Sequence, residues 1–122
     1  MTEQLPFRPL IWVGSTRRIF RAMPAEVKSR MGYALYVAQL GGKHRDARPL
    51  RGFGGAGVLE IVKDHRGDTF RSIYTVRLAG AVYVLHVFQK KSKTGRETPK
   101  TDMNLIETRL REAERIAKDV RT

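Results

Sequence analysis

The sequence predicts an α+β domain, ordered β-α-α-β-β-β-α, with an antiparallel sheet and helices packed on one face. Three observations carry this expectation. Residues 58–63, 69–78 and 81–89 are apolar, β-prone runs separated by short turns. Residues 27–38 and 103–117 place apolar side chains at helical spacing. A short apolar run, Leu10-Ile11-Trp12-Val13, stops at Gly14.

That first run reads as a strand. Ser15 or Thr16 can cap a short helix over Arg17–Ala22. Pro24 suits the first turn of a second helix, where its missing N–H costs nothing. Val27, Met31, Ala34, Leu35 and Ala38 form its apolar stripe, and Gly41-Gly42 ends it. Residues 43–57 read as a loop carrying Arg45, Arg48 and Arg51. Its Gly52-Phe-Gly-Gly-Ala-Gly57 matches G-x-G-x-x-G, but no strand precedes it and no helix follows, so it is not a nucleotide fingerprint. Short turns at Asp64–Asp68 and Ala79-Gly80 make the next three runs an antiparallel meander. After a polar loop over 92–101, Thr101 or Asp102 can cap the last helix, whose stripe is Met103, Ile106, Leu110, Ala113 and Ala117. Glu107/Arg111 and Glu114/Lys118 add favourable i,i+4 pairs.

Composition bounds the function. The 122 residues suit one domain over 1–122, with 1–8 and 119–122 as frayed ends. The absence of cysteine excludes disulfides and thiolate metal sites. No paired-carboxylate, H-E-x-x-H or P-loop pattern is present, so no metal and no cofactor is expected. No apolar run reaches a membrane span and the N-terminus lacks an apolar signal core; a cytoplasmic location and no membrane partner are expected.

The net charge is +12, from 24 Lys and Arg against 12 Asp and Glu. That surplus suits a polyanionic partner. It is concentrated. Residues 8–51 hold ten Lys and Arg against Glu26 and Asp46, and residues 90–100 hold Lys90, Lys91, Lys93, Arg96 and Lys100 against Glu97.

Strand alternation sorts the side chains. If Ala79-Gly80 is a two-residue loop, Tyr74 opposes Leu85, Ile73 opposes His86 and Arg71 opposes Phe88. Phe70, Tyr74, Val76, Leu78, Tyr83, Leu85 and Val87 then form the core face. Arg71, Ile73, Thr75, Val84, His86, Phe88 and Lys90 form an open face, which Glu60 can join. A one-residue bulge would scramble this division. Arg71 is either a surface arginine paired with Glu60 or a phosphate clamp, since a guanidinium forks onto phosphate oxygens. His86, the histidine placed inside a strand, is either structural or a general acid/base. Gln89-Lys90-Lys91-Ser92-Lys93 is either a solvated strand end or a phosphate-contacting one.

These residues resemble a known family. Thr69-Phe-Arg-Ser-Ile-Tyr-Thr-Val76, Val82-Tyr-Val-Leu-His-Val-Phe-Gln-Lys-Lys-Ser92 and Thr98-Pro99 are similar to the RelE/ParE toxin superfamily, nearest its HigB-like, phage-related branch. Trp12-x-Gly14-Ser15, Gly32-Tyr-Ala-Leu35 and Arg48-Pro-Leu-Arg-Gly-Phe-Gly54 extend the likeness over roughly residues 10 to 118. The resemblance implies a RelE-like fold and the toxin of a type II toxin–antitoxin pair. It implies a metal-independent, ribosome-dependent mRNA endonuclease (an mRNA interferase that inhibits translation), with the RNA 2′-OH as nucleophile and a cyclic phosphate product. By position it implies catalytic roles for Arg71, His86, Lys90 and Lys91, and RNA contacts by Arg45, Arg48, Arg51, Phe88, Lys93 and Arg96. The implied partners are the ribosome, mRNA and an antitoxin of helix-turn-helix type with acidic segments. Two departures matter. Leu59, Glu60 and Ile61 stand where RelE carries lysines, and Arg96-Glu-Thr-Pro99 stands where RelE carries a tyrosine. The general base therefore stays open between His86 and a weaker chemistry. The alternative is a ParE-like gyrase inhibitor, or a phage-derived protein that binds nucleic acid without cutting it.

Overall fold

The structure is a computed structural model and describes residues 7–54, 57–78, 80–90 and 98–121. The elements run β1 (Leu10–Trp12), α1 (Thr16–Arg21), α2 (Ala25–Gln39), β2 (Arg48–Pro49), β3 (Val58–His65), β4 (Asp68–Thr75), β5 (Val82–Lys90) and α3 (Lys100–Arg121). The expected elements are present, and the loop after α2 contributes one more, the two-residue strand β2.

Their ends follow local chemistry. Pro24 stands just outside α2 rather than in its first turn, and its carbonyl accepts the Lys28 N–H. At the other end Gly41 takes φ +90°, and the Gly41 and Gly42 N–H groups bond back to Ala38 and Val37. β3 and β4 are joined by Arg66-Gly67, both at positive φ, a two-residue loop that matches strand twist. The α3 cap differs from expectation: Thr101 and Asp102 lie inside the helix, and the Pro99 carbonyl accepts the Met103 N–H.

The sheet order is β1-β5-β4-β3-β2. It is mixed, which corrects the expected antiparallel sheet: β1 pairs with β5 in parallel, Leu10 opposite Val82 and Trp12 opposite Val84. The other pairings are antiparallel. Periodicity marks a strand but not its direction, and β1 meets its neighbour from the far end of the sequence.

The helices cover both faces rather than one. Val27, Met31, Ala34, Leu35 and Ala38 of α2 bury against Leu59, Ile61, Phe70, Tyr74, Val82, Val84 and Val87, with Ile19 and Phe20 of α1 at the margin. Ile106, Leu110, Ala113 and Ala117 of α3 bury against Val58, Ile73, Tyr83 and Leu85 on the other face. The stripe on α3 is the expected one; its destination is not.

A β-bulge explains which side chains changed sides. Arg71 opposes Phe88 and Ile73 opposes His86, as alternation predicts, but Tyr74 opposes Val84. Leu85 is the extra residue. Beyond it, Tyr83 and Leu85 point to α3, while Val84 joins Tyr74 under α2. Leu78 and Ala81, which a two-residue loop at Ala79-Gly80 would pair, lie beyond the ladder, which closes at Thr75 opposite Tyr83.

Candidate functional site: a charged half-face beside the bulge

Arg71, Glu60 and His86 share the α3 side of the sheet. Register places them in two adjoining rows. Arg48, Glu60, Ile73 and His86 form one row across β2, β3, β4 and β5; Val62, Arg71 and Phe88 form the next. Arg71 and His86 are thus diagonal neighbours, within long side-chain reach.

Arg71 is not on an open surface. It is 4% exposed, and its Nη1 donates to Glu60 Oε2 at 3.1 Å. Glu60, itself buried, offers its other oxygen to Arg48 Nε at 3.2 Å. One carboxylate therefore orients two guanidiniums, one buried and one with its side chain 59% exposed. The pairing of Arg71 with Glu60, weighed from the sequence, is present, but in the interior.

His86 is also buried. Its ring stacks on Phe88, centroids 4.5 Å apart and planes 16° from parallel. Its Nε2 lies 2.7 Å from Asp102 Oδ1, in the first turn of α3. Burial pulls the His86 pKa below its ordinary value of 6.5. The Asp102 hydrogen bond and charge oppose that shift, and the Arg109 charge adds to it. Near pH 7 the imidazole is neutral. A neutral ring beside a carboxylate donates from Nε2, which leaves the lone pair on Nδ1. Nδ1 is buried and finds no hydrogen-bond partner among the described residues.

Arg109 completes the support. Its Nη1 donates to the Leu85 carbonyl at 3.1 Å, the backbone group stranded by the bulge. Its Nη2 donates to Ser15 Oγ at 3.3 Å. Gly14 lets it pass: a Cβ there would sit 2.9 Å from Arg109 Nε, and φ is +62°. Asp102 and Arg109 belong to this candidate site by contact, and the sequence reading does not mark them for it. Asp102 had been explained as a cap, and Arg109 lay unmarked in a charge-balanced helix.

The remaining expected residues are spread out. Lys90 ends β5 opposite Thr69, and Phe88 is the half-buried stacking partner. Arg48 joins the cluster through Glu60. Arg51 is exposed beside buried Leu50. Arg45 is exposed in a turn held to α2 by its neighbours: Asp46 pairs with Arg30, and His44 packs edge-on against Tyr33. Lys91, Lys93 and Arg96 lie outside the described residues. Among the described residues no three His, Asp or Glu side chains gather to hold a metal ion. Nor is any described helix long and apolar enough to cross a membrane.

Residues 18–111 match the family model described as phage-derived protein Gp49-like (DUF891). The chain belongs to the Gp49-like family. Those residues run from α1 into the middle of α3 and enclose the whole charged cluster, including Arg109. No curated protein matches this Gp49-like chain. Among solved structures it is similar to the toxin–antitoxin complex RelBE2 of Mycobacterium tuberculosis, at 18% identity and a TM-score of 0.46, over 75% of this chain and 100% of that one.

Proposed function

We propose that this Gp49-like protein is the toxin of a type II toxin–antitoxin pair, of the RelE superfamily and its HigB-like branch. Its activity is a ribosome-dependent cut in mRNA. The observation that carries this reading is the convergence of Arg71 and a His86–Asp102 pair on one sheet half-face, with Lys90 at its end. Attack of a 2′-OH on the adjacent phosphate forms the cyclic phosphate and expels the 5′-oxygen; it needs a proton acceptor for the 2′-OH, a proton donor for the leaving oxygen, and cationic side chains beside the anionic phosphorane. Neutral His86 suits the proton acceptor and, once protonated, can return that proton to the leaving 5′-oxygen. Arg71, fixed by Glu60, supplies oriented charge; Lys90 and Lys91 hold the phosphate. The basic side chains Arg45, Arg48, Arg51, Lys93 and Arg96 bind the RNA backbone, and Phe88 offers an aromatic surface. The partners are ribosome, mRNA and an acidic antitoxin of helix-turn-helix type, in the cytoplasm.

One observation favours the second reading, a non-cleaving nucleic-acid binder or gyrase inhibitor. Arg71 and His86 are each tied to a carboxylate and each less than a tenth exposed. Primer extension on a reporter mRNA after induction separates the two. New 5′ ends within translated codons, absent from Arg71→Ala, are the expected result. Intact message during growth arrest would move the assignment to the gyrase-type reading.

A further inference from the structure

We infer that α1 carries a second anion surface, formed by Arg17, Arg18 and Arg21 around the Gly14–Ser15 turn, that takes the sugar–phosphate backbone of RNA. It rests on the RNA reading above but not on cleavage.

Six described arginines meet a carboxylate, Arg71 with Glu60 among them, while exposed Arg45, Arg51 and Arg66 stand singly on separate loops. Arg30 pairs with Asp46, Arg48 with Glu60, Arg77 with Glu114, Arg111 with Glu107, and Arg115 with Glu112 and Asp119. The three arginines of α1 do not. All are exposed, and no described carboxylate lies within ion-pair distance of them. They are crowded into one six-residue helix that has no acid in its first turn. Like charges at i,i+4, as in Arg17 and Arg21, disfavour a helix by a few tenths of a kcal/mol, so folding alone does not explain the arrangement.

The same three side chains line one cleft with Gly14 and Ser15. Ser15 is held from below by Arg109. The cleft lies at the β1 end of the sheet, whereas Arg48 stands at the β2 end. The cleft adjoins the His86 end of the half-face through Arg109, which donates both to Ser15 Oγ and to the Leu85 carbonyl.

The lining chemistry selects the ligand. The lining residues are three arginines, a serine and a glycine, with no aromatic ring to stack a base. Arg17 and Arg21 are about 6 Å apart along the helix axis, a step that lets successive guanidiniums meet successive phosphates of one strand. The surface thus reads charge and spacing, not sequence.

The test is the salt dependence of binding to a short fluorescein-labelled single-stranded RNA, followed by anisotropy. Each lost phosphate contact on a single strand lowers the slope of log K against log salt by about 0.7. Arg17→Ala/Arg18→Ala/Arg21→Ala is expected to lower the slope by about 2. Arg17→Lys/Arg18→Lys/Arg21→Lys is expected to keep it. Since the three side chains are exposed, melting temperatures of both variants should match the wild type. An alanine triple with the wild-type slope overturns the inference. So does a wild-type protein that binds a labelled polyglutamate and not RNA. Wild-type protein that binds RNA with the arginine-dependent slope, yet leaves ribosome-engaged messages whole, sinks the cleavage reading and upholds this one.

Discussion

The two faces of the sheet have different compositions. Under α2 the buried part of the face across β3, β4 and β5 is apolar, its buried polar exceptions being Ser72 and the Tyr74 hydroxyl. Burial pushes the Tyr74 phenol up to about 12, so that ring is a neutral filler. Under α3 the face is divided. Val58, Ile73, Tyr83 and Leu85 hold the helix, and Glu60, Arg71 and His86 lie next to them with a carboxylate or guanidinium for each charge. A buried ion pair is weak evidence for stability, because desolvation offsets most of its attraction. The contrast assigns stability to the α2 face and the candidate chemistry to the α3 face.

Breaking the charged half should have the largest effect. Glu60→Ala leaves the Arg71 guanidinium without this carboxylate and is expected to lower unfolding free energy by about 3–5 kcal/mol in urea. Glu60→Leu/Arg71→Met should recover most of that stability and none of the RNA cleavage. A single-variant loss under about 1 kcal/mol would mean water already serves Arg71, and the contrast would fail. On the opposite face Met31→Ala empties a site of 0% exposure and should cost about 2–5 kcal/mol. Cleavage per folded molecule should stay unchanged there; a selective loss of activity would show that the α2 face also serves chemistry.

A smaller effect concerns pH. The folded pKa of His86 is lowered, so the unfolded chain takes its proton first. The stability this gives is present above about pH 6.5 and is lost as pH falls from there through the folded value. Relative to His86→Phe, the wild type should lose at most about 1.4 kcal/mol per pH unit in that window. Parallel stability curves for the two proteins would contradict the burial argument. Least of all, Arg111→Ala removes an exposed pair outside both faces and should change stability by about 0.3–0.5 kcal/mol.

Much of this was legible in the residues. The stripes of α2 and α3 fixed their buried sides, and the glycines at 41 and 67 marked real chain reversals. Alternation placed Arg71 opposite Phe88 and Ile73 opposite His86. What escaped was non-local. No glycine or proline stands at Leu85 to announce a bulge; its carbonyl is satisfied by Arg109, 24 residues away. The open face closed because the α3 stripe specifies burial without naming the surface that receives it. Asp102 looked complete as a cap, so nothing local linked it to His86.

The extra residue at position 85 makes β5 a strand with a phase break. Residues 82–84 keep step with β1, and residues 86–90 keep step with β4 and the charged cluster. Which way the imidazole points is therefore decided by a residue count, not by the identity of any neighbour. Removing Leu85 would restore a continuous ladder made of the same side chains, yet it would force one half of the strand to turn over. Either the parallel edge or the histidine would be lost. Within this family the length of that segment should accordingly be harder to change than its composition.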